Sequence, residues 1–382
     1  MQGRRSNHCL FVPACRSAFA SSAMTPRERI LNAFLGRPVD RVPFGLSFGW
    51  NAWGETFDRW KRETGNPDLD VHRALDFDPG FAQPQVHYGA WPHFQAQVLA
   101  EDEHFIISRD FRGITMKNRR DGSSMPDFMD YPVKSGNDWE RYKAQRLDPH
   151  QPGRIAEDLR AFKEHARDRA VQVGVFPWGI FGTVRDLLGA EELLIAFYDM
   201  PEVVQDMMNH LTTLWLHLYE QVANVVQIDH IHIWEDMSGR NGSLISPAMV
   251  EQFMMPCYDR IVEFARECGA QLVSVDTDGD CSQLLPIMTG HGINMFLPFE
   301  VAAGNDVVQY RRRYPNLAIL GGLDKRALAK GKDAIDIEVN RCREMIRLGR
   351  YIPSWDHLIP PDVSWDNYKY AAEKIRDACR GQ

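Results

Sequence analysis

The chain of 382 residues is long enough for two average domains or for one large closed α/β barrel. Its 44% hydrophobic and 25% charged residues fit a packed core and exclude a largely disordered chain. A formal net charge of -8 with Lys and Arg dispersed along the chain excludes the basic footprint that nucleic acid demands. No apolar run approaches the roughly 20 residues of a membrane-spanning helix.

In residues 1–23, Arg4 and Arg5 precede an apolar stretch, Leu10 to Ala14, that Arg16 interrupts, a poor signal-peptide core. These residues read as a disordered or mis-assigned extension, and 24–382 as a single domain. The domain begins at Thr25, which forms a capping box with Glu28, with Pro26 at the first helical position. Ile30, Leu31, Phe34 and Leu35 continue at helical spacing, and Arg41 to Phe48 reads as a buried strand. An antiparallel hairpin is expected between His104 and Asn118, an insertion over the mouth of the main fold.

Further apolar strands are expected from Val171, His230, Gln271, Ile293, Leu317 and Arg350, with helical periodicity between most of them. This alternation implies parallel strands joined by crossover helices. An eighth strand falls somewhere between Leu69 and Tyr88. The clearest helix, Glu202 to Val222, places Val203, Val204, Met207, Met208, Leu211, Trp215, Leu218 and Val222 on one apolar face. Another helix opens at Ser246-Pro247, with Pro256 expected to kink or divide it. A last helix begins near Ser364. The expected fold class is α/β, a (β/α)8 TIM barrel with a β-hairpin inserted in its N-terminal half.

Seven cysteines, with no C-x-x-C pair, suggest neither a disulfide framework nor a thiolate zinc knuckle and fit a reducing cytoplasm. Phosphate loops, G-x-S-x-G elbows and H-E-x-x-H pairs are absent.

In α/β barrels the reacting groups sit at the carboxyl ends of the strands. Here those ends are acidic: Glu235 and Asp236 after one strand, Asp276, Asp278 and Asp280 after the next, then Glu300, Asp324, and Asp356 beside His357. Acids on one rim raise one another's pKa or require a cation among them. Asp236, Glu235, Glu300 and Asp324 are the candidate catalytic groups. Asp276, Asp278 and His357 offer an O,O,N set for zinc with an open fourth position; the alternative is a strand-to-helix loop in which Asp280 caps the helix and Asp276 bonds backbone amides. Asp324 follows Gly321 and Gly322, glycines that let a ligand approach the backbone, or else mark an ordinary turn. Trp50, Trp53, Phe176, Trp178 and Phe181 are candidates to wall a substrate, with core packing as the rival role. Trp178, Trp50, Phe181 and His232 are the candidate substrate contacts, although His230 and His232, alternating onto one face, suit a buried, hydrogen-bonded role better than ligation.

Several of these segments resemble the uroporphyrinogen decarboxylase superfamily. Met24-Thr25-Pro26-Arg27-Glu28-Arg29 followed by Arg37-Pro38-Val39-Asp40-Arg41-Val42-Pro43 is similar to its opening. Trp234-Glu235-Asp236, Leu244-Ile245-Ser246-Pro247 and Met255-Pro256-Cys257-Tyr258 resemble its acidic strand end and the helix that follows. Gly321-Gly322-Leu323-Asp324 and Asp356-His357-Leu358-Ile359-Pro360 resemble its last two strand ends. The resemblance runs over residues 24–380 and implies a (β/α)8 barrel with one of two chemistries: cofactor-free tetrapyrrole decarboxylation, or zinc-assisted methyl transfer to or from a corrinoid protein or a thiol.

The chain departs from both patterns. The decarboxylases' R-Q-A-G-R motif is replaced by Ser47-Phe48-Gly49-Trp50-Asn51-Ala52-Trp53. The methyltransferases' H-x-C pair and later cysteine are matched by Asp276, Asp278 and His357. The expectation is metal-assisted methyl transfer from a small methylated substrate, with a corrinoid on a separate protein as the implied partner. The alternatives are a decarboxylase needing no cofactor, in which Asp236 or Asp278 stabilises a protonated intermediate, and a non-catalytic ligand-binding barrel. No membrane or nucleic-acid partner is expected, and the sequence leaves the oligomeric state open, a homodimer included.

Overall fold

The computed structural model describes residues 24–46, 48–120 and 125–381; the extension read for residues 1–23 lies outside them. Helix α1, Pro26–Leu35, starts as its sequence dictates. Thr25 accepts from the Glu28 amide at 3.2 Å, while the Glu28 carboxylate accepts from the Thr25 amide at 2.9 Å. Gly36 ends the helix at φ 66°, a left-handed cap that a side chain would strain. The helix buries Ile30, Leu31 and Phe34, and Phe34→Ala would cost about 3–5 kcal/mol. Its first turn is tied to the sheet by Arg27, which lies 2.8 Å from the buried Asp229.

The main sheet has six strands: β1 Gln172–Val173, β2 His230–Trp234, β3 Leu272–Thr277, β4 Met295–Pro298, β5 Ala318–Leu320 and β6 Tyr351–Ile352. Spatial neighbours follow chain order and every pair is parallel. All six match the strands expected from the sequence. Their residues are mostly apolar and almost all buried, as parallel strands covered by helices require, with Gln172, His230, His232, Ser274, Asp276 and Thr277 as the buried polar exceptions. A parallel bridge between Ala82 and Val171 extends the pairing one step further, within the interval where another strand was sought.

Of the strand expected over Arg41 to Phe48, the described residues Arg41 to Leu46 and Phe48 form none. Pro43 lacks an amide hydrogen and Gly45 sits at φ 83°, so the segment cannot hold a regular ladder. The Val42 amide donates instead to the Cys379 carbonyl and the Phe44 amide to the Asp78 carboxylate.

The long helix α2, Pro201–Ala223, buries Val204, Met207, Met208, Leu211, Trp215, Leu218 and Val222 of the expected stripe, while Val203 is half-buried. After Ser246 caps Pro247–Met249, the chain widens into a π-helical turn at Val250–Met254 before helix α3, Met255–Cys268. Pro256 lies at the start of α3, where its missing donor leaves a carbonyl one turn earlier unpaired, and the wider turn accommodates this. Helix α4, Trp365–Cys379, closes the described chain behind its Ser364 cap.

Phe105–Arg109 and Thr115–Arg119 pair antiparallel in the register of a hairpin. They form the centre of a separate four-stranded sheet whose edges are Gln97–Glu101 and Asp127–Asp130. Pairing register puts Val98, Ser108, Met116 and Phe128 on one face and Gln97, Arg109 and Thr115 on the other.

Candidate active site at the strand ends

The carboxyl ends of β2, β3 and β4 are held together by backbone. The Glu235 amide donates to the Asp276 carbonyl at 2.8 Å, and the Asp280 amide donates to the Gly239 carbonyl at 2.9 Å. Gly279, at φ 75°, passes so close to Ser238 that a Cβ would lie 2.5 Å from its carbonyl oxygen. Asn305 clamps the next loop by donating to the carbonyls of Gly279 and Glu300. The acids expected at these ends therefore gather from three consecutive strands on fixed backbone.

Asp236 stands at φ 45°, a left-handed conformation that Asp tolerates better than most residues. Arg185 donates to its carboxylate at 2.9 Å and to its backbone carbonyl. The same guanidinium lies over the Trp234 ring, 5.4 Å from its centroid. Burial raises the Asp236 carboxyl above the usual range; Arg185 opposes that shift, while Asp278 and Glu300 add to it. Glu300 accepts from the Gly279 amide at 3.1 Å and pairs with Lys325 at 3.4 Å.

Asp276, 5% exposed, is the penultimate residue of β3. Among the described residues nothing donates a hydrogen bond to its carboxyl, and the His232 Nε2 atom lies 3.8 Å away. Burial first, then the like charges of Asp278 and Asp236, hold the Asp276 carboxyl well above its ordinary pKa and favour its protonated form. His232 is itself neutral, since burial pulls it down to about 4. Its Nδ1 shares the Ser274 hydroxyl, at 2.9 Å, with Nε2 of His230, at 2.7 Å. Both histidines thus have the hydrogen-bonded, buried placement that rivalled substrate contact.

Asp278 and His357 come together, 3.5 Å apart, and the His357 ring stacks on Trp53 and meets the edge of Phe48. Asp276 does not join them as a ligand set. Strand geometry stops at Thr277, whose hydroxyl turns back to the Met237 amide, so the two-residue alternation does not carry Asp278 onto the face of Asp276. No group of three or more His, Cys, Asp and Glu among the described residues is placed to hold a metal ion. The residues present therefore do not fit the expected zinc.

Other expected site residues serve the scaffold. Glu235 is fully buried and accepts from the amides of Ile180, Phe181 and Gly182 at 2.7–3.0 Å and from the Tyr258 hydroxyl. Its carboxylate satisfies the N-terminus of the helix Ile180–Leu188 rather than facing a substrate. Burial still pushes its pKa up to about 7 against those donors. Asp324 caps the 3-10 turn Lys325–Lys330 and is held bidentately by Arg326, a structural role in place of the catalytic one expected. Gly321 and Gly322 admit neighbouring protein rather than a ligand, since Cβ atoms there would meet the Pro298 carbonyl and Val307. Trp50 and Phe181 are 1% exposed, with the Trp50 indole bonded to the Pro353 carbonyl, so both belong to the core. Trp178 is half-buried against Gly89. Phe176, 69% exposed and edge-on to Trp234, remains available to a ligand.

Sequence reasoning missed Arg185, Lys325 and Ser274. Arg185 was detectable as one of two charges, with Asp186, in the otherwise apolar run from Ile180 to Leu188. Ser274 was detectable because it shares the alternation of Asp276, and β-pairing places it directly opposite His232.

A family model described as uroporphyrinogen decarboxylase (URO-D) matches residues 111–378. Among solved structures, a methyltransferase from Methanosarcina mazei is similar over 93% of this chain and 99% of its own, with a TM-score of 0.60 and 13% identity. That likeness bears on the fold. A putative vitamin-B12-independent methionine synthase from Listeria monocytogenes is similar over 55% of this chain and 64% of its own, at 12% identity and a TM-score of 0.32, too low to carry an argument. No curated protein matches the chain. Among the described residues no helix is long and apolar enough to cross a membrane.

Proposed function

The chain belongs to the uroporphyrinogen decarboxylase family, and from that premise we propose that it is a barrel enzyme transferring a methyl group from a small methylated substrate, with Asp276 as the proton donor. The observation that carries this reading is Asp276 itself: a carboxyl 5% exposed at the end of the sheet, to which no described residue donates a hydrogen bond, and whose pKa burial and two neighbouring acids raise.

Methyl transfer from oxygen, nitrogen or sulfur leaves an electron pair on that heteroatom, and a proton supplied there lowers the barrier. The acceptor's electron pair forms the new bond to carbon, the carbon–heteroatom bond breaks, and the Asp276 proton goes to the departing atom. No step is assigned to a metal. A corrinoid on a separate protein, or a thiol, is the proposed acceptor. Phe48, Trp53, Phe176 and Trp234 supply apolar surface for the donor, and the parallel sheet closes into the (β/α)8 barrel through the segment near Phe44, with the small antiparallel sheet inserted beside it.

Decarboxylation of a poly-carboxylate is disfavoured by charge. Asp236, Asp278 and Glu300 line the rim, while Arg185 and Lys325 are engaged by Asp236 and Glu300. Like charges at such separations cost on the order of several kcal/mol at low effective dielectric. The test is to incubate the protein with a panel of O-, N- and S-methyl compounds and free cob(I)alamin, following methylcobalamin by absorbance. Methylcobalamin from one donor class supports the proposal; carbon dioxide release from uroporphyrinogen, with no methyl transfer, refutes it.

A further inference from the structure

The three side chains behind Asp276 form a hydrogen-bonded chain with a direction. The Ser274 hydroxyl lies between His230 Nε2 and His232 Nδ1, and it has one proton to give. Among the described residues the hydroxyl has no other acceptor for that proton, so one histidine accepts it while the other donates to the oxygen. His230 Nδ1 decides which, because it is buried with no hydrogen-bond partner and its ring packs 4.7 Å from Phe81. If His230 accepted from Ser274, its own proton would sit on Nδ1 as an orphaned donor in the core, which proteins rarely tolerate. If His230 donates from Nε2, the orphan is a bare nitrogen, and the strain is smaller. The hydroxyl proton then goes to His232 Nδ1, and the His232 proton is left on Nε2, the nitrogen 3.8 Å from Asp276.

We propose that Ser274 and His230 are positioning residues that lock His232 in its Nε2–H tautomer, so that a fixed N–H stands beside Asp276 at the atom from which the methyl group departs. The inference rests on the methyl-transfer reading for its consequence but not for its geometry. The 3.8 Å gap is too wide for a direct hydrogen bond between His232 and Asp276. A substrate heteroatom lying against both would accept from the His232 N–H while taking the Asp276 proton. His232 gives up no proton in this arrangement; its N–H strengthens its bond as charge develops on the heteroatom. Backbone fixes the alignment, since His232 and Ser274 are direct partners in the β2–β3 ladder.

The test is the two-bond nitrogen–proton spectrum of the full chain labelled with 15N-histidine at neutral pH, with the His232 signals assigned through His232→Gln. A single Nε2–H pattern for His232 in the wild type, becoming a mixture of tautomers in Ser274→Ala, is the expected result. An Nδ1–H pattern in the wild type, or a pattern unchanged by Ser274→Ala, overturns the proposal. Should Ser274→Ala fail to fold, the wild-type pattern alone decides. With a methyl donor in hand, Ser274→Ala should lower kcat by about tenfold to a hundredfold with KM little changed. The spectrum needs no substrate, so a correct tautomer in a protein that transfers no methyl group would refute the proposed function and leave this assignment standing.

Discussion

Arg185 reaches from the helix Ile180–Leu188 to the Asp236 carboxylate, 2.9 Å away, and fixes that residue in its left-handed backbone. The pair is partly buried, at 17% and 33% side-chain exposure, so its energy lies between that of an exposed and a fully buried bridge. Arg185→Met should cost about 1–3 kcal/mol by leaving Asp236 beside Asp278 and Glu300 without its cation. Asp236→Asn in the same chain should restore most of that loss, because Asn tolerates the conformation and removes the charge. Urea denaturation of the two single variants and the double variant measures the coupling.

Glu235 predicts a stability effect without direct contact with substrate. Glutamine offers one acceptor oxygen where four donors converge, and its amide hydrogens would face backbone N–H groups. Glu235→Gln should therefore destabilise the protein by about 2–3 kcal/mol, read as a lowered melting temperature.

Two tryptophans three residues apart should separate core from site. Trp50→Ala removes a fully buried indole and should cost about 3–5 kcal/mol. Trp53→Ala, which removes only the ring stacked on His357, should leave the melting temperature close to wild type and raise KM for the methyl donor.

A pH effect is expected far from the mouth. His291 is held by Asp259 at 2.7 Å and Glu251 at 3.1 Å, and its hydrogen bond to Asp259 is the largest cause of its raised pKa. A raised folded value means this stabilisation is fully present below the unfolded pKa of about 6.5 and is lost as pH rises through the folded value. The partners are half-exposed, so the effect is about 1 kcal/mol or less. Denaturation of wild type and His291→Asn should differ near pH 6 and converge in alkali; a constant gap would contradict the assignment.

The strands were legible because parallel strands buried on both faces are rich in apolar and β-branched residues, and β1 to β6 keep that character even where His230, His232, Ser274 and Asp276 interrupt it. Arg41 to Phe48 has the same apolar content but not the backbone, and Gly45 with Pro43 was the overlooked signal. At the site, position at a strand end was readable but direction was not. Glu235 and Asp236 are adjacent in sequence, yet one feeds a helix N-terminus and the other meets Arg185 at the rim. Asp276 and Asp278 look paired only while the strand continues, and it ends between them at Thr277. Contacts between neighbouring strand units, such as Arg185 with Asp236 or Ser274 with two histidines, depend on register between strands, which local spacing does not encode.

The central claim is that Asp276 enters the reaction carrying a proton. Infrared difference spectra of wild type against Asp276→Asn at neutral pH test it without any substrate. The account predicts a carbonyl band of a protonated carboxylic acid that is present in the wild type and missing from the variant. A difference spectrum showing instead the loss of an ionised carboxylate would contradict it.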